Sequence, residues 1–240
     1  MKIFKNLILL KEVVEYRGMS KNKLIGIFIV VLIFLLGFLW QGVYKVLDKN
    51  IVIDSITSVK LLRYEVAGIF IIFILGYIWH YLYEIFKENI IIGIVSPVNE
   101  SMWEHWKMGF YPILVYSTIE YILIGQDIKN FWFSKFIGIL VFEFICYYTV
   151  AISDFFIELS KTKLRLIVHI GSYFIGLVVG QISSYITASI TVHNNILLYI
   201  AFIGIFIEIL LMTIFTFNPP RMKYFRDVPA GEYGIYKTKH

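Results

Sequence analysis

Long apolar runs separated by short polar stretches dominate this sequence. A helix needs about 20 apolar residues to cross the hydrocarbon core of a bilayer, which is about 30 Å thick. Six runs approach or exceed this length, and they cover residues 24–47, 66–86, 108–125, 131–153, 164–188 and 195–217. The pattern predicts an all-α fold, a polytopic membrane helix bundle with six transmembrane helices.

Two shorter apolar stretches lie outside these runs. Residues 90–98 are too few to span a bilayer and predict a re-entrant or interfacial segment. In residues 1–23, apolar side chains recur at steps of three and four, as in an amphipathic helix at a membrane surface, although a loosely ordered basic tail fits equally well. The predicted organisation is an N-terminal segment 1–23, a transmembrane domain 24–217 and a C-terminal tail 218–240.

The positions of lysine and arginine predict the orientation of the bundle. If both termini are cytoplasmic, 16 of these residues lie on the cytoplasmic side and 6 on the opposite side. Because cytoplasmic loops of membrane proteins are enriched in Lys and Arg, both termini are predicted to be cytoplasmic. The same rule explains the net charge of +5 without a nucleic-acid partner.

Composition narrows the class of protein further. Of the 240 residues, 59% are hydrophobic and only 16% are charged. A soluble globular domain carries about 25% charged residues, so that class is excluded and a lipid bilayer is the expected environment. Cys146 is the only cysteine, which excludes an intrachain disulfide framework and multi-cysteine metal sites.

The fifth predicted span carries a small side chain at every fourth position. These residues are Ser172, Gly176, Gly180, Ser184 and Ala188. The spacing places them on one helix face, where a neighbouring helix can approach closely. The neighbour would be another helix of the same chain or a second copy of it, which would make a homo-oligomer.

A polar stretch, residues 96–107, precedes the third predicted span. Ser96 followed by Pro97 is typical of a helix start, because serine caps the first turn and proline fits the first helical position. The pattern therefore predicts one continuous helix over residues 97–125. Downstream of the sixth span, two prolines end the helix, and the tail is predicted to fold back near residues 103–107 or, equally well, to be disordered.

The same polar stretch holds the candidates for catalysis. Ser101 and His105 lie four residues apart, so they share a helix face, and Glu104 is adjacent to His105. A hydroxyl, an imidazole and a carboxylate are the parts of nucleophile–base chemistry. The spacing is generic and matches no recognised hydrolase motif, so Ser101, Glu104 and His105 are candidates for a catalytic role and no more.

Ionisable residues of the predicted spans fall mostly in the cytoplasmic half of the bundle. Such groups are costly in a membrane and are usually functional or paired, so convergence on one polar cavity is expected, the alternative being pairs that only hold helices together. The predicted ligand-binding residues are Asn99, Glu100, Glu104, His105, Glu143, His169 and Glu208. No recognised metal spacing is present and no metal is expected from it; the candidate ligands for one are His80, His105 and His169.

Several segments of this sequence resemble the pattern of a protein family. The run SPVNESMWEHWK at 96–107, followed by Pro112, resembles the signature of an uncharacterised family of bacterial multi-pass membrane proteins, whose shared domain has no known function. FTFNPP at 215–220 and YGI at 233–235 resemble its C-terminal pattern. The resemblance implies a small protein of the bacterial cytoplasmic membrane and supplies no activity, substrate or cofactor.

Three functional hypotheses follow. The first is binding or transport of an ion or small molecule through a cytoplasm-facing polar cavity. The second is a membrane-embedded hydrolase or metal-dependent enzyme. The third is a structural or assembly partner, which the small-residue face of the fifth span would support. The sequence leaves the cofactor unknown.

Overall fold

The computed structural model describes residues 54–157, 164–190 and 194–235, and its regular structure there is helical. Seven α-helices are described: α1 Ser55–His80, α2 Leu82–Ile85, α3 Ile90–Val95, α4 Met102–Leu123, α5 Phe131–Ile157, α6 Leu164–Ile190 and α7 Asn195–Phe217. Short 3-10 turns lie at Gly125–Asp127 and Lys223–Phe225. The predicted all-α class is therefore confirmed for this part of the chain.

Four of these helices are long and apolar enough to cross a membrane, namely Ile56–His80, Phe131–Ser153, Leu166–Ile190 and Asn195–Phe217. Many large apolar side chains on them face outward; Ile74 is 60% exposed and Phe206 59%. Such a surface suits lipid rather than water. The helix α4 is not among the four, because Glu104, Lys107 and Glu120 interrupt its apolar pattern. The predicted span 24–47 and the segment 1–23 lie outside the described residues.

The first described helix begins well before the predicted boundary at residue 66. Asp54 caps it, because its Oδ1 accepts hydrogen bonds from the N–H groups of Ile56 and Thr57, each at 3.0 Å. Hydrogen bonds from Thr57 also hold the pKa of Asp54 below its ordinary value. The helix ends at His80, and Trp79 Nε1 donates to the carbonyl oxygen of Val95 at 2.7 Å, so the short α3 is fastened to the end of α1.

The small-residue face of α6 packs against α5. A Cβ built on Gly180 would lie 2.8 Å from the carbonyl oxygen of Gly138, and one built on Gly176 would lie 2.7 Å from Cys146 Sγ. Ser184 and Ala188 are buried as well. The internal alternative is therefore the one observed, because α5 covers this face.

The helix predicted over 97–125 begins later than expected. Ser96 closes α3, and α4 starts at Met102 with Ser101 as its N-cap, whose Oγ accepts from the N–H of Glu104 at 3.3 Å. Between these two helices, side-chain oxygens accept hydrogen bonds from the backbone N–H groups in place of helical carbonyl oxygens. Val98 N–H donates to Glu104 Oε2 at 3.1 Å, which holds the loop in place before the helix.

Of the two alternatives for the C-terminal segment, the structure shows the one in which it folds back onto the start of α4. Asn99 Nδ2 donates to the carbonyl oxygen of Gly234 at 3.0 Å, and the N–H of Glu100 donates to Asp227 Oδ1 at 3.0 Å. The rings of Trp103 and Phe225 stack with centroids 4.9 Å apart. The described part of the tail, through residue 235, is thus built into the structure next to the polar stretch.

Candidate functional site

Three side chains of types that can bind a metal ion converge where α1 ends and α4 begins. His80 is the last residue of α1, Glu100 lies in the loop, and His105 is in the first turn of α4. His80 Nε2 is 3.3 Å from Glu100 Oε1, and His105 Nε2 is 3.5 Å from Glu100 Oε2. One donor atom from each of the three residues lies within 4.8 Å of the others. We call this group the His–Glu cluster.

The tautomer of His105 follows from its backbone contact. His105 Nδ1 lies 2.7 Å from the carbonyl oxygen of Ser101, and a carbonyl can only accept, so Nδ1 carries a proton. In the neutral ring, Nε2 is then the unprotonated nitrogen, and it faces the Glu100 carboxylate. A cation between these two atoms, either a proton or a metal ion, would relieve the contact between two acceptors.

The third candidate imidazole stands next to the cluster. The ring of His169, on α6, meets that of His105 edge to face with centroids 6.1 Å apart, and the rings of His80 and His105 are 5.3 Å apart. The three histidines named from the sequence are therefore neighbours. The cluster is open at one side, since the Glu100 side chain is 46% exposed while those of His80 and His105 are 19% and 22% exposed.

Glu104 is used differently. Its carboxylate pairs with Lys107 Nζ at 2.8 Å, and both side chains are almost fully buried. Lys107 Nζ also donates to the Gly93 carbonyl oxygen at 2.8 Å, and Thr216 Oγ1 lies 3.1 Å from Glu104 Oε1. The pair fastens α3, α4 and the end of α7 together, and both oxygens of Glu104 are engaged in contacts within the fold.

Asn99 and Ser101 are also occupied by the backbone. Asn99 donates to Gly234 and accepts from the N–H of Ser101 at 2.8 Å, so both ends of its amide are engaged. Ser101 is 1% exposed, and its hydroxyl caps α4. His105 meets the carbonyl oxygen of Ser101 rather than its hydroxyl, so these hydrogen bonds do not form the nucleophile–base pair that the spacing suggested.

Glu143 and Glu208 lie at another depth. Glu208 precedes Thr216 by eight residues, which is about 12 Å along α7. One side-chain oxygen of each glutamate is buried without a hydrogen-bond partner among the described residues. The two helices that carry them, α5 and α7, pack together. Neither glutamate is among the three residues whose donor atoms converge in the His–Glu cluster.

A second buried cluster went unrecognised in the sequence. Lys135 Nζ lies 2.7 Å from Glu65 Oε1 and 2.6 Å from Glu120 Oε2, and all three side chains are at most 2% exposed. Glu65 falls one residue before the predicted span 66–86, so the predicted boundary leaves it outside the span. A lysine within the apolar run 131–153 was the available signal, because such a charge needs a buried partner.

Comparison with known proteins identifies a family but no activity. The model of a family described as a family of unknown function, DUF6512, matches residues 59–235, which include both clusters. No curated protein and no solved structure matches the chain. Because the matched region covers well over half of the 240 residues, the chain belongs to this family of unknown function, DUF6512.

Proposed function

We propose that this membrane protein binds a divalent transition-metal ion at His80, Glu100 and His105, and that Zn²⁺ is the first ion to test. The observation that carries the proposal is the convergence of two imidazole nitrogens and a carboxylate. Zinc bonds to these atoms measure about 2.0–2.1 Å, so tetrahedral ligands lie about 3.3–3.4 Å apart. His80 Nε2 lies 3.3 Å from Glu100 Oε1 and His105 Nε2 lies 3.5 Å from Glu100 Oε2, which is close to that spacing, and the three donor atoms together lie within 4.8 Å of one another.

The orientation of His105 adds independent support. A ligating histidine ordinarily donates its other ring nitrogen to a carbonyl or carboxylate, and the bond from His105 Nδ1 to Ser101 has this form. Three protein ligands leave a tetrahedral ion one open position, for water or a small ligand. The exposed edge at Glu100 is where such a ligand would enter.

The proposal joins the first two functional hypotheses. Ion binding is the first, and an ion with an open position also suits a metal-dependent enzyme, because a metal-bound water is activated for attack. We place the site on the cytoplasmic side of six spans in a bacterial cytoplasmic membrane. This placement rests on the Lys and Arg distribution and on the family resemblance. The competing explanation of the cluster is a protonated histidine paired with Glu100.

The experiment is metal binding by the full-length protein in detergent, with Zn²⁺ competition against a chelating dye and Co²⁺ absorbance as readouts. One ion per chain is expected, with the intense visible absorbance of four-coordinate Co²⁺. Glu100→Gln is expected to weaken binding at least tenfold, whereas Glu232→Gln, an exposed carboxylate in the tail, leaves it unchanged. Equal affinity in both variants, or no binding by the wild type, would overturn the proposal.

A further inference from the structure

We infer that Glu65, Glu120 and Lys135 form a proton-binding site, in which the two carboxylates share one exchangeable proton beside the lysine. This buried triad joins three helices, α1, α4 and α5. It is separate from the His–Glu cluster, because Glu65 precedes His80 by 15 residues, or about 22 Å along α1. The inference does not depend on the proposed metal site.

The charges of the triad do not balance. Two carboxylates and one ammonium group carry a net charge of −1 if all three are ionised. Lys135 is the only charged group within salt-bridge distance of either carboxylate in the described part of the chain. A buried, uncompensated charge is costly in a medium of low dielectric constant, so uptake of one proton is favoured.

The surrounding groups do not supply a second cation. From α6, Ser184 Oγ donates to Glu65 Oε1 at 2.8 Å, and Gln181 reaches the backbone of Glu65; both are uncharged. From α4, Tyr116 donates its hydroxyl proton to the carbonyl oxygen of Tyr64. Lys60 and Arg63 of α1, and Asp127 and Lys129 after α4, are exposed.

Two oxygens of the triad await a partner. Glu65 Oε2 and Glu120 Oε1 are buried and have no hydrogen-bond partner among the described residues. A proton on one of these oxygens would give the two carboxylates a donor, which neither has when both are ionised. Ser117 Oγ, one helical turn before Glu120 and 1% exposed, also lacks a partner, so a further polar group is available beside the site.

The hydrogen bonds indicate which carboxylate holds the proton. Glu65 accepts from both Lys135 and Ser184, whereas Glu120 accepts from Lys135 alone. Donors stabilise the ionised form, so Glu65 is the carboxylate and Glu120 the acid. Both carboxylates touch the same nitrogen, which brings them near enough for the protonation of one to depend on the charge of the other.

The test is infrared spectroscopy of the reconstituted full-length protein at neutral pH, which separates carboxylic acid from carboxylate bands. The difference between wild type and Glu120→Gln should contain one carboxylic acid band. Glu65→Gln should remove the same band, although Glu65 is the ionised partner, because the remaining Glu120–Lys135 pair is neutral without the proton. Glu232→Gln, an exposed glutamate, should leave it in place.

A band lost only in Glu120→Gln would overturn sharing, and difference spectra with carboxylate bands alone would show a fully ionised triad. If either glutamine variant fails to fold, Lys135→Met decides the matter. Removing the only cation should add one protonated acid to the spectrum if one proton is already bound, and two if none is. If the carboxylic acid band of the wild type disappears when Na⁺ replaces K⁺ at fixed pH, Na⁺ displaces the proton. The site would then be a binding site for an alkali cation.

Discussion

His105 Nδ1 lies 2.7 Å from the carbonyl oxygen of Ser101, one helical turn earlier. That single contact connects the helix cap to the His–Glu cluster. Ser101 fixes the start of α4 through its hydroxyl, and its carbonyl sets the ring of His105 so that Nε2 faces Glu100. In this polar stretch the residue that caps α4 therefore also orients the imidazole of His105.

His105→Asn separates this positioning contact from ligation. The asparagine amide can reproduce the donor at Nδ1 but has no atom at the place of Nε2. We expect unfolding free energy to change by less than about 1 kcal/mol while Zn²⁺ affinity falls at least tenfold. Chemical unfolding and dye competition on the same preparation measure both. Unaltered affinity in a folded variant would mean that Nε2 is not a ligand.

The buried Glu104–Lys107 pair should contribute strongly to stability. Lys107→Met leaves Glu104 buried without its cation, and we expect a loss of about 3–5 kcal/mol in unfolding free energy. The double variant Glu104→Gln, Lys107→Met removes the unpaired charge and should recover part of that loss. Thermal or denaturant unfolding in detergent measures both. If the double variant loses as much unfolding free energy as the sum of the two single substitutions, the two side chains act independently.

The apolar pattern predicted the helices and helix faces that depend on local sequence. The helices through residues 131–153 and 195–217 follow from long apolar runs, and the small face of α6 followed from a four-residue step. The start of α4 did not follow, because Ser96-Pro97 and Ser101 both satisfy capping rules, and only the contact of Glu104 with Val98 decides between them.

The contacts that the sequence did not predict join residues that are far apart in the chain. Glu65 and Lys135 are 70 residues apart in the chain, so no periodicity links them. Likewise, His80 reaches Glu100 only because α1 ends beside the loop that precedes α4. The sequence named His80, His105 and Glu100 among its candidates, but it could not separate them from Glu143 and Glu208, which share their chemistry and lie on other helices.

The contact between α5 and α6 predicts opposite outcomes for one substitution at two glycines. Gly180→Ala would bring a methyl group within 2.8 Å of the Gly138 carbonyl oxygen, whereas at Gly171 nothing lies within 4 Å of the new carbon. We expect Gly180→Ala to lower unfolding free energy by about 1–3 kcal/mol through overpacking. Gly171→Ala should be neutral or stabilising by up to about 1 kcal/mol, since alanine favours helix. Equal effects in thermal unfolding would contradict the close approach.

Asp227 should control both the tail and the His–Glu cluster. Its Oδ1 accepts from the N–H of Glu100, and its Oδ2 accepts from the N–H of Ala230 at 3.1 Å. Asp227→Ala removes both bonds, so the tail should be cleaved faster in limited proteolysis. Glu100 would lose the contact that fixes its backbone, and we expect Zn²⁺ affinity to fall about 10- to 100-fold, as for other groups that orient a ligand.

Glu232→Ala is the matched control, because Glu232 belongs to the same tail segment and its side chain is exposed. It should leave both proteolysis and Zn²⁺ affinity unchanged. Faster cleavage in Asp227→Ala with full affinity would show that the tail packs against the cluster without positioning Glu100. Weaker Zn²⁺ binding with unchanged proteolysis of the tail would instead assign the effect to the charge of Asp227. A carboxylate near the site attracts a bound cation whether or not it holds Glu100 in place.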